Sequence, residues 1–255
     1  MATLNTRSVV LSTLLGTDPP RLPVSRLLRA TDLFGLSRGT VRTALTRMVQ
    51  RGELTTDGDG SYGPGGPLLA RQDRQRQSRV GERLEWPGHW RVAVVTADRR
   101  SAPERLALRA GMSALRLAEQ REGVWLRPDN LAQGEQNDGP TPADSQCFWY
   151  SAHPHTDDAE LAAALWDLDG WSGRATDLRR AMHTLGGRLE AEDASALAEG
   201  FVVSAEVLRL LQADPLLPDE LVGRTWPGAR LRADYEQYDR TYRRLLRQWF
   251  LREDV

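Results

Sequence analysis

Between positions 37 and 50 the chain gathers hydroxyl, guanidinium and amide side chains with no acid among them: Ser37, Arg38, Thr40, Arg42, Thr43, Thr46, Arg47 and Gln50. Arg and Gln carry paired groups that fit base edges, Thr offers a methyl and a hydroxyl, and Arg also pairs with phosphate. The chemistry open to this set is recognition of duplex DNA through a major groove. On an isolated amphipathic helix the same residues would be an ordinary solvated basic face, so the surrounding elements decide between the two readings.

Those elements have a specific order. Ser37 stands where an N-cap is expected and Gly52 where a left-handed C-cap is expected, which predicts a helix over Arg38–Arg51. At about 100° per residue, Val41, Ala44, Leu45 and Met48 share one side, with Val49 at its margin, while Gly39, Thr43, Thr46, Arg47 and Gln50 lie opposite. Two helix-length apolar patterns precede it, Arg7–Leu15 and Val24–Ala30, separated by the breaker Asp18–Pro23. The connection from Ala30 to Ser37 is short and carries Gly35. After the helix, Glu53–Gly66 holds two strand-like pieces around Asp57-Gly58-Asp59-Gly60, a turn-forming cluster. Two helices, a recognition helix and a hairpin are the parts of a winged helix-turn-helix.

Charge follows the same division. The chain has net charge -1, and all 34 of its basic residues are Arg. Residues 1–80 carry 12 Arg against 6 acids, so a basic module is joined to an acidic remainder. With Arg this abundant, its position carries more information than its number.

Beyond a polar stretch at Leu68–Val80, Trp90–Thr96 reads as a buried strand and Pro103–Gly111 as an amphipathic helix with Pro early and Gly at its stop. Leu115–Leu117, Gly123–Leu126 and Cys147–Ala152 are the next expected strands, and Ala132–Ser145 reads as a mobile loop. The order suggests a small α+β sheet domain. From Asp158 the pattern is helical, with helices expected over Glu160–Leu168, Ala175–Leu185, Ser195–Asp214 and Arg232–Leu251. In the last of these Tyr235, Tyr238, Tyr242, Leu245, Leu246 and Trp249 form a stripe, read first as core and second as a dimer face.

Several separated segments resemble the PaaX-like transcriptional repressors, which control phenylacetate degradation and related catabolic operons. Thr6–Gly16 is similar to the family's opening helix and Phe34–Leu54 to its recognition segment. Glu85–Val95 and Glu122–Leu131 are similar to its central signatures, and Ala213–Leu231 to its C-terminal one. The resemblance implies an α+β protein with a winged helix-turn-helix at residues 1–66, a linker helix at 67–84, a central ferredoxin-like domain like that of the nuclease Cas2 at 85–155, and a mostly helical C-terminal domain at 156–255. It further implies a homodimer on double-stranded operator DNA, released by a small effector such as an aromatic acyl-CoA thioester, with no cofactor. No effector-binding residue can be chosen from the sequence. Family members commonly carry basic and aromatic residues in the wing, whereas this chain has Asp57 and Asp59. Acid beside phosphate is unfavourable, which shifts the burden to the recognition helix or to Arg71, Arg74, Arg76 and Arg79, in a stretch equally readable as a solvated linker.

Other functions fare less well. The nuclease resemblance draws attention to Asp98, but a metal-dependent phosphodiesterase needs more oxygen ligands than the sequence assigns, and Asp98 reads as a solvated strand end. His153 and His155 lie near Cys147 and Asp157 without the paired spacing of a structural zinc site. Cys147 reads as a buried thiol in an apolar strand, and no catalytic triad, phosphate loop or dinucleotide fingerprint occurs. A protein-interaction module with a vestigial winged helix is the remaining alternative. With one cysteine, no signal-like segment and no apolar run of about 18 residues, the expectation is a cytoplasmic protein with no membrane partner.

Overall fold

The apolar spacing of the N-terminal segment folds as it predicts, giving α1 (Thr6–Leu15), α2 (Val24–Asp32) and α3 (Arg38–Gln50). In the computed structural model, which describes residues 6–17, 19–66, 68–69, 78–96, 100–131 and 145–251, the stripes of these helices meet in one core. Val10, Leu11 and Leu14 of α1 pack with Leu27 and Leu28 of α2 and with Val41, Leu45 and Met48 of α3. Three strands close the core's edge: β1 (Leu22–Pro23), β2 (Leu54–Thr56) and β3 (Ser61–Pro64), in the order β1-β3-β2 with both pairings antiparallel.

Strand β1 corrects an expectation. Its two residues lie within Asp18–Pro23, read from sequence as a breaker, yet Leu22 pairs with Tyr62 and Pro23 with Ser61. A two-residue strand has no periodicity of its own. It exists because β3 offers it a partner and because Leu22 is buried in the same core as Leu54 and Met48.

The chain forms two compact units: Met1–Val80 with Asp177–Gln212 and Leu231–Val255, and Gly81–Thr176 with Ala213–Arg230. The second unit holds a four-stranded antiparallel sheet of β4 (Trp90–Val95), β5 (Ala118–Arg121), β6 (Val124–Pro128) and β7 (Cys147–Ala152), ordered β5-β6-β4-β7. One face carries Ala93, Trp125 and Cys147 against Leu108 and Met112 of α4 (Ala102–Ala114). Trp90 and Leu126 on the other face pack with Leu161 and Ala162 of α5 (Asp158–Leu165) and with Leu217.

Here too the structure moves boundaries. The helix expected to stop at Gly111 runs on to Ala114, and Leu115–Leu117, expected as a strand, forms its terminus, with the Leu117 amide donating to Met112. An interior glycine costs about 1 kcal/mol, less than the gain of about 1.5–3 kcal/mol from burying a side chain such as Met112, fully enclosed here. At the base of the same unit, buried Arg127 donates to Asn130 (2.7 Å), and the Asn130 amide donates to the Leu216 carbonyl (2.9 Å). Burial first, then the Arg116 charge, lowers the Arg127 guanidinium to about 9, which leaves it charged at neutral pH.

The helical remainder consists of α6 (Leu168–Glu190), α7 (Ala196–Gln212), the short α8 (Asp219–Val222) and α9 (Gly228–Leu251). The helix expected over Glu160–Leu168 ends at Leu165, and that expected over Ala175–Leu185 is the middle of the longer α6. Glycines near both ends of α6 hide its length from a pattern reading. In α9 the stripe Tyr235, Tyr238, Tyr242 and Leu245 is buried. Tyr238 donates to the Gly200 carbonyl (3.1 Å) and Tyr242 to the Leu197 carbonyl (3.3 Å), so the stripe is core against α7. Desolvation raises the hydroxyls of Tyr235, Tyr238 and Tyr242 well above their ordinary value, which keeps all three neutral.

Candidate nucleic-acid interface

Helix α3 is held at both ends by its own sequence. The Ser37 hydroxyl accepts from the Thr40 amide (3.2 Å). At the other end Gly52, at φ +68°, donates to Val49 while Glu53 donates to Met48, the pair of bonds that closes a helix through a left-handed glycine. Gly35, at φ +66°, makes the corresponding turn into the helix. No acid occupies the first turn, leaving the positive end of the helix dipole open to an anion.

Every residue of the sequence-derived candidate set lies on one exposed surface. Ser37, Arg38, Thr40, Arg42, Thr43, Thr46, Arg47 and Gln50 are all exposed, while Val41, Leu45 and Met48 are buried beneath them. Thr43 donates its hydroxyl to the Gly39 carbonyl (3.0 Å) and Thr46 to that of Arg42 (3.1 Å). Each hydroxyl is thereby fixed with its remaining lone pairs and the adjacent methyl available to a partner. Arg38 stands 3.7 Å from Asp32, whereas Arg42 and Arg47 have no ion-pair partner among the described residues.

The structure adds two residues that sequence reasoning missed. Thr6 and Arg7, at the start of α1, line an open groove together with Thr40, Thr43, Ala44 and Arg47. Arg7 also bonds Glu53 at 2.7 Å, which pairs the first acid to follow α3. Nothing in the local sequence marks Arg7 out; only the packing of α1 across α3 brings it there.

In the hairpin, Asp57 is turned to structural use. Its carboxylate accepts from the amides of Asp59 (3.1 Å) and Ser61 (3.2 Å) and pairs with Arg21. Partial desolvation pulls its pKa upward, but the Ser61 and Asp59 amides and the Arg21 charge together hold the carboxyl below its ordinary value. Of the two acids in this turn, Asp57 is therefore matched by the turn's own amides and by Arg21.

Of the secondary candidates, Arg71, Arg74 and Arg76 lie outside the described residues. Arg79 is already engaged: it bonds Asp239 (2.9 Å) and Glu236 (3.2 Å) and lies over the Tyr235 ring at 5.1 Å. Burial opposes its charge, yet Asp239 and its neighbours raise its pKa. Such an arginine serves the helical core and is a poor phosphate contact.

The other candidate chemistry is dispersed. Asp98 lies outside the described residues. Asp157 caps α5 through the Ala159 and Glu160 amides, Cys147 is buried in the sheet, and His153 meets the Gly88 carbonyl at 3.1 Å. Among the described residues no cluster of three His, Cys, Asp or Glu side chains could hold a metal ion, and no helix is long and apolar enough to cross a membrane.

Residues 5–63 match the family described as PaaX-like protein, and residues 166–252 match its C-terminal domain. The first match spans the whole of α1, α2 and α3, and hence all of the exposed set. No curated protein matches the chain. Among solved structures, the uncharacterized protein Rv0674 from Mycobacterium tuberculosis is similar over 96% of this chain and 99% of its own, with 39% identity and a TM-score of 0.68. The chain belongs to the PaaX-like protein family, and that membership points to a DNA-binding transcription regulator rather than an enzyme.

Proposed function

We propose that this chain is a homodimeric, cytoplasmic repressor that occupies operator DNA through α3 and leaves it on binding a small effector, an aromatic acyl-CoA thioester. The observation that carries the DNA half is the exposed, acid-free face of a helix capped at both ends, with Arg42 and Arg47 unpaired among the described residues. In this reading residues 1–66 are a winged helix-turn-helix with β2 and β3 as the wing, and 67–84 are the linker. Residues 85–155 form a ferredoxin-like, Cas2-like domain, and 156–255 form the helical domain. The strand order β5-β6-β4-β7, with the first strand of the sheet between its third and fourth, supports the ferredoxin-like reading.

Within the interface, Arg42, Arg38 and the first-turn amides would take phosphates, while Thr43, Thr46, Arg47 and Gln50 would reach base edges. A two-fold operator would follow from the dimer. The effector would act by binding one state of the protein better than the other, lowering the population competent for DNA. The test is selection of duplexes from a random-sequence pool by the full-length chain, followed by gel shifts with aromatic acyl-CoA thioesters. Enrichment of a two-fold site and its release by one thioester are expected. No enrichment would overturn the DNA reading, and retention with every thioester would remove the effector half.

A further inference from the structure

Phe34 lies in the turn between α2 and α3, yet it is not among the residues of the N-terminal core. Its ring instead meets Phe201 of α7 edge-on, centroid to centroid 4.9 Å at 63°. A second contact lies on α2: the Arg29 guanidinium donates to the Trp249 carbonyl at 2.6 Å and sits 4.6 Å over the Trp249 ring. That carbonyl is in the last turn of α9, where helix carbonyls lack intrahelical partners and a cation is favoured. A third contact ties α1, through Arg243 of α9 donating to the carbonyl of Gly16. All of these residues belong to one compact unit.

The placement of the three contacts is what matters. One falls at the end of α1, one on α2 and one in the turn leading into α3, and none touches the exposed face of α3. Three points fix the orientation of a rigid body, so the recognition helix is aimed by the C-terminal helices and left uncovered by them. We propose that Phe201 and Trp249 are positioning residues for DNA reading, acting through Phe34 and Arg29 to hold α3 at its working angle. This rests on the DNA-binding reading above and extends it to residues remote from DNA.

The physical consequence separates positioning from simple stability. Base-edge hydrogen bonds are lost when donor and acceptor depart from a narrow range of distance and angle, whereas attraction of Arg to the phosphate backbone is tolerant of orientation. Loosening the Phe34–Phe201 contact therefore removes selective affinity and spares non-selective affinity. General destabilisation lowers both alike.

The experiment uses the full-length chain and two probes: a duplex that the wild type selects from a random pool, and a scrambled duplex of equal length. Phe34→Ala and Phe201→Ala should each weaken binding of the selected duplex about two- to twelvefold, the range expected for loss of one aromatic pair, with little change on the scrambled one. The double variant should lose no more than the worse single variant, because both remove one contact. Phe201→Leu, which retains apolar bulk, should recover part of the loss. Additive losses, or equal losses on both duplexes, would overturn the positioning role while the wild type still selects its site. A wild type that selects no duplex would overturn the DNA reading and this inference with it.

Discussion

The carboxylate of Asp57, in the hairpin turn, is paired with the guanidinium of Arg21, which lies just before β1. The pair joins the two outer parts of the β1-β3-β2 sheet across the strand between them and turns an acid that would repel phosphate into part of the hairpin. Both side chains are partly exposed, so its value lies in local geometry more than in global stability.

A pH dependence follows, with a definite sign. The folded-state pKa of Asp57 lies below its ordinary value of 3.8, so the unfolded chain takes up the proton first as the solution is acidified. Its contribution is fully present above 3.8 and is lost as pH falls through the lower folded value. A carboxyl titration followed by NMR should give a midpoint below 3.8 for Asp57, moving upward in Arg21→Ala. A wild-type midpoint at or above that ordinary value would contradict the hydrogen-bonding scheme.

Base reading should be concentrated in Thr43 and Arg47. Replacing either with Ala is expected to cost about 1–3 kcal/mol of selective affinity and to relax the preference at one or two positions of the site. Because the Thr43 hydroxyl is tied to Gly39, Thr43→Val should keep contact with a thymine methyl better than Thr43→Ser. Binding curves on single-base variants of a selected duplex would show this, and unchanged affinity in both Ala variants would remove α3 from the role of reader.

A phosphate contact has a different signature. Arg42→Ala should weaken binding to all sequences by a similar factor and reduce the slope of log affinity against log salt by about one unit. Titrations at several salt concentrations measure the slope directly. An Arg42→Ala effect confined to one sequence would reassign this residue to base contact.

Gly200 should be intolerant of any side chain. A Cβ there would stand 2.8 Å from the Tyr238 hydroxyl oxygen and 3.0 Å from the Tyr242 ring, both buried. Because both rings are enclosed in the core and hydrogen-bonded to α7, Gly200→Ala should destabilise the folded chain by about 1–3 kcal/mol. Denaturant unfolding monitored by circular dichroism tests this, with Gly187→Ala in α6, where a Cβ meets nothing within 4 Å, as the neutral or stabilising comparison.

In the second unit, Asn130→Ala should remove the acceptor of Arg127 and the donor to Leu216 together. Leaving a buried guanidinium short of a partner is expected to cost about 1–3 kcal/mol. Thermal unfolding should register the loss, and an unchanged midpoint would mean that water replaces the amide.

Much of α3 and of the face it exposes is legible in the sequence because its information is local. A capping hydroxyl, a left-handed glycine and a helical repeat of apolar residues act within a few positions of one another, so Ser37, Gly52 and the stripe Val41, Leu45 and Met48 specify both where α3 lies and which face it exposes. The strand Cys147–Ala152 was equally plain, being a short apolar run between polar segments. Less legible were features that need a distant partner. Strand β1 has no pattern without β3, and α4 passes through Gly111 because Met112 finds a core to enter.

By its sequence alone this protein determined the span and caps of α3, the exposed set from Ser37 to Gln50 and the segments that mark its family, since each depends on spacing along the chain. Only the tertiary structure decided that Arg7 joins the α3 groove, that Arg79 is spent on Asp239, that Asp57 is matched by Arg21, and that Phe34 reaches Phe201. The reason is physical: hydrogen bonds, ion pairs and ring contacts are short-ranged in space, and folding brings together residues that the sequence keeps far apart.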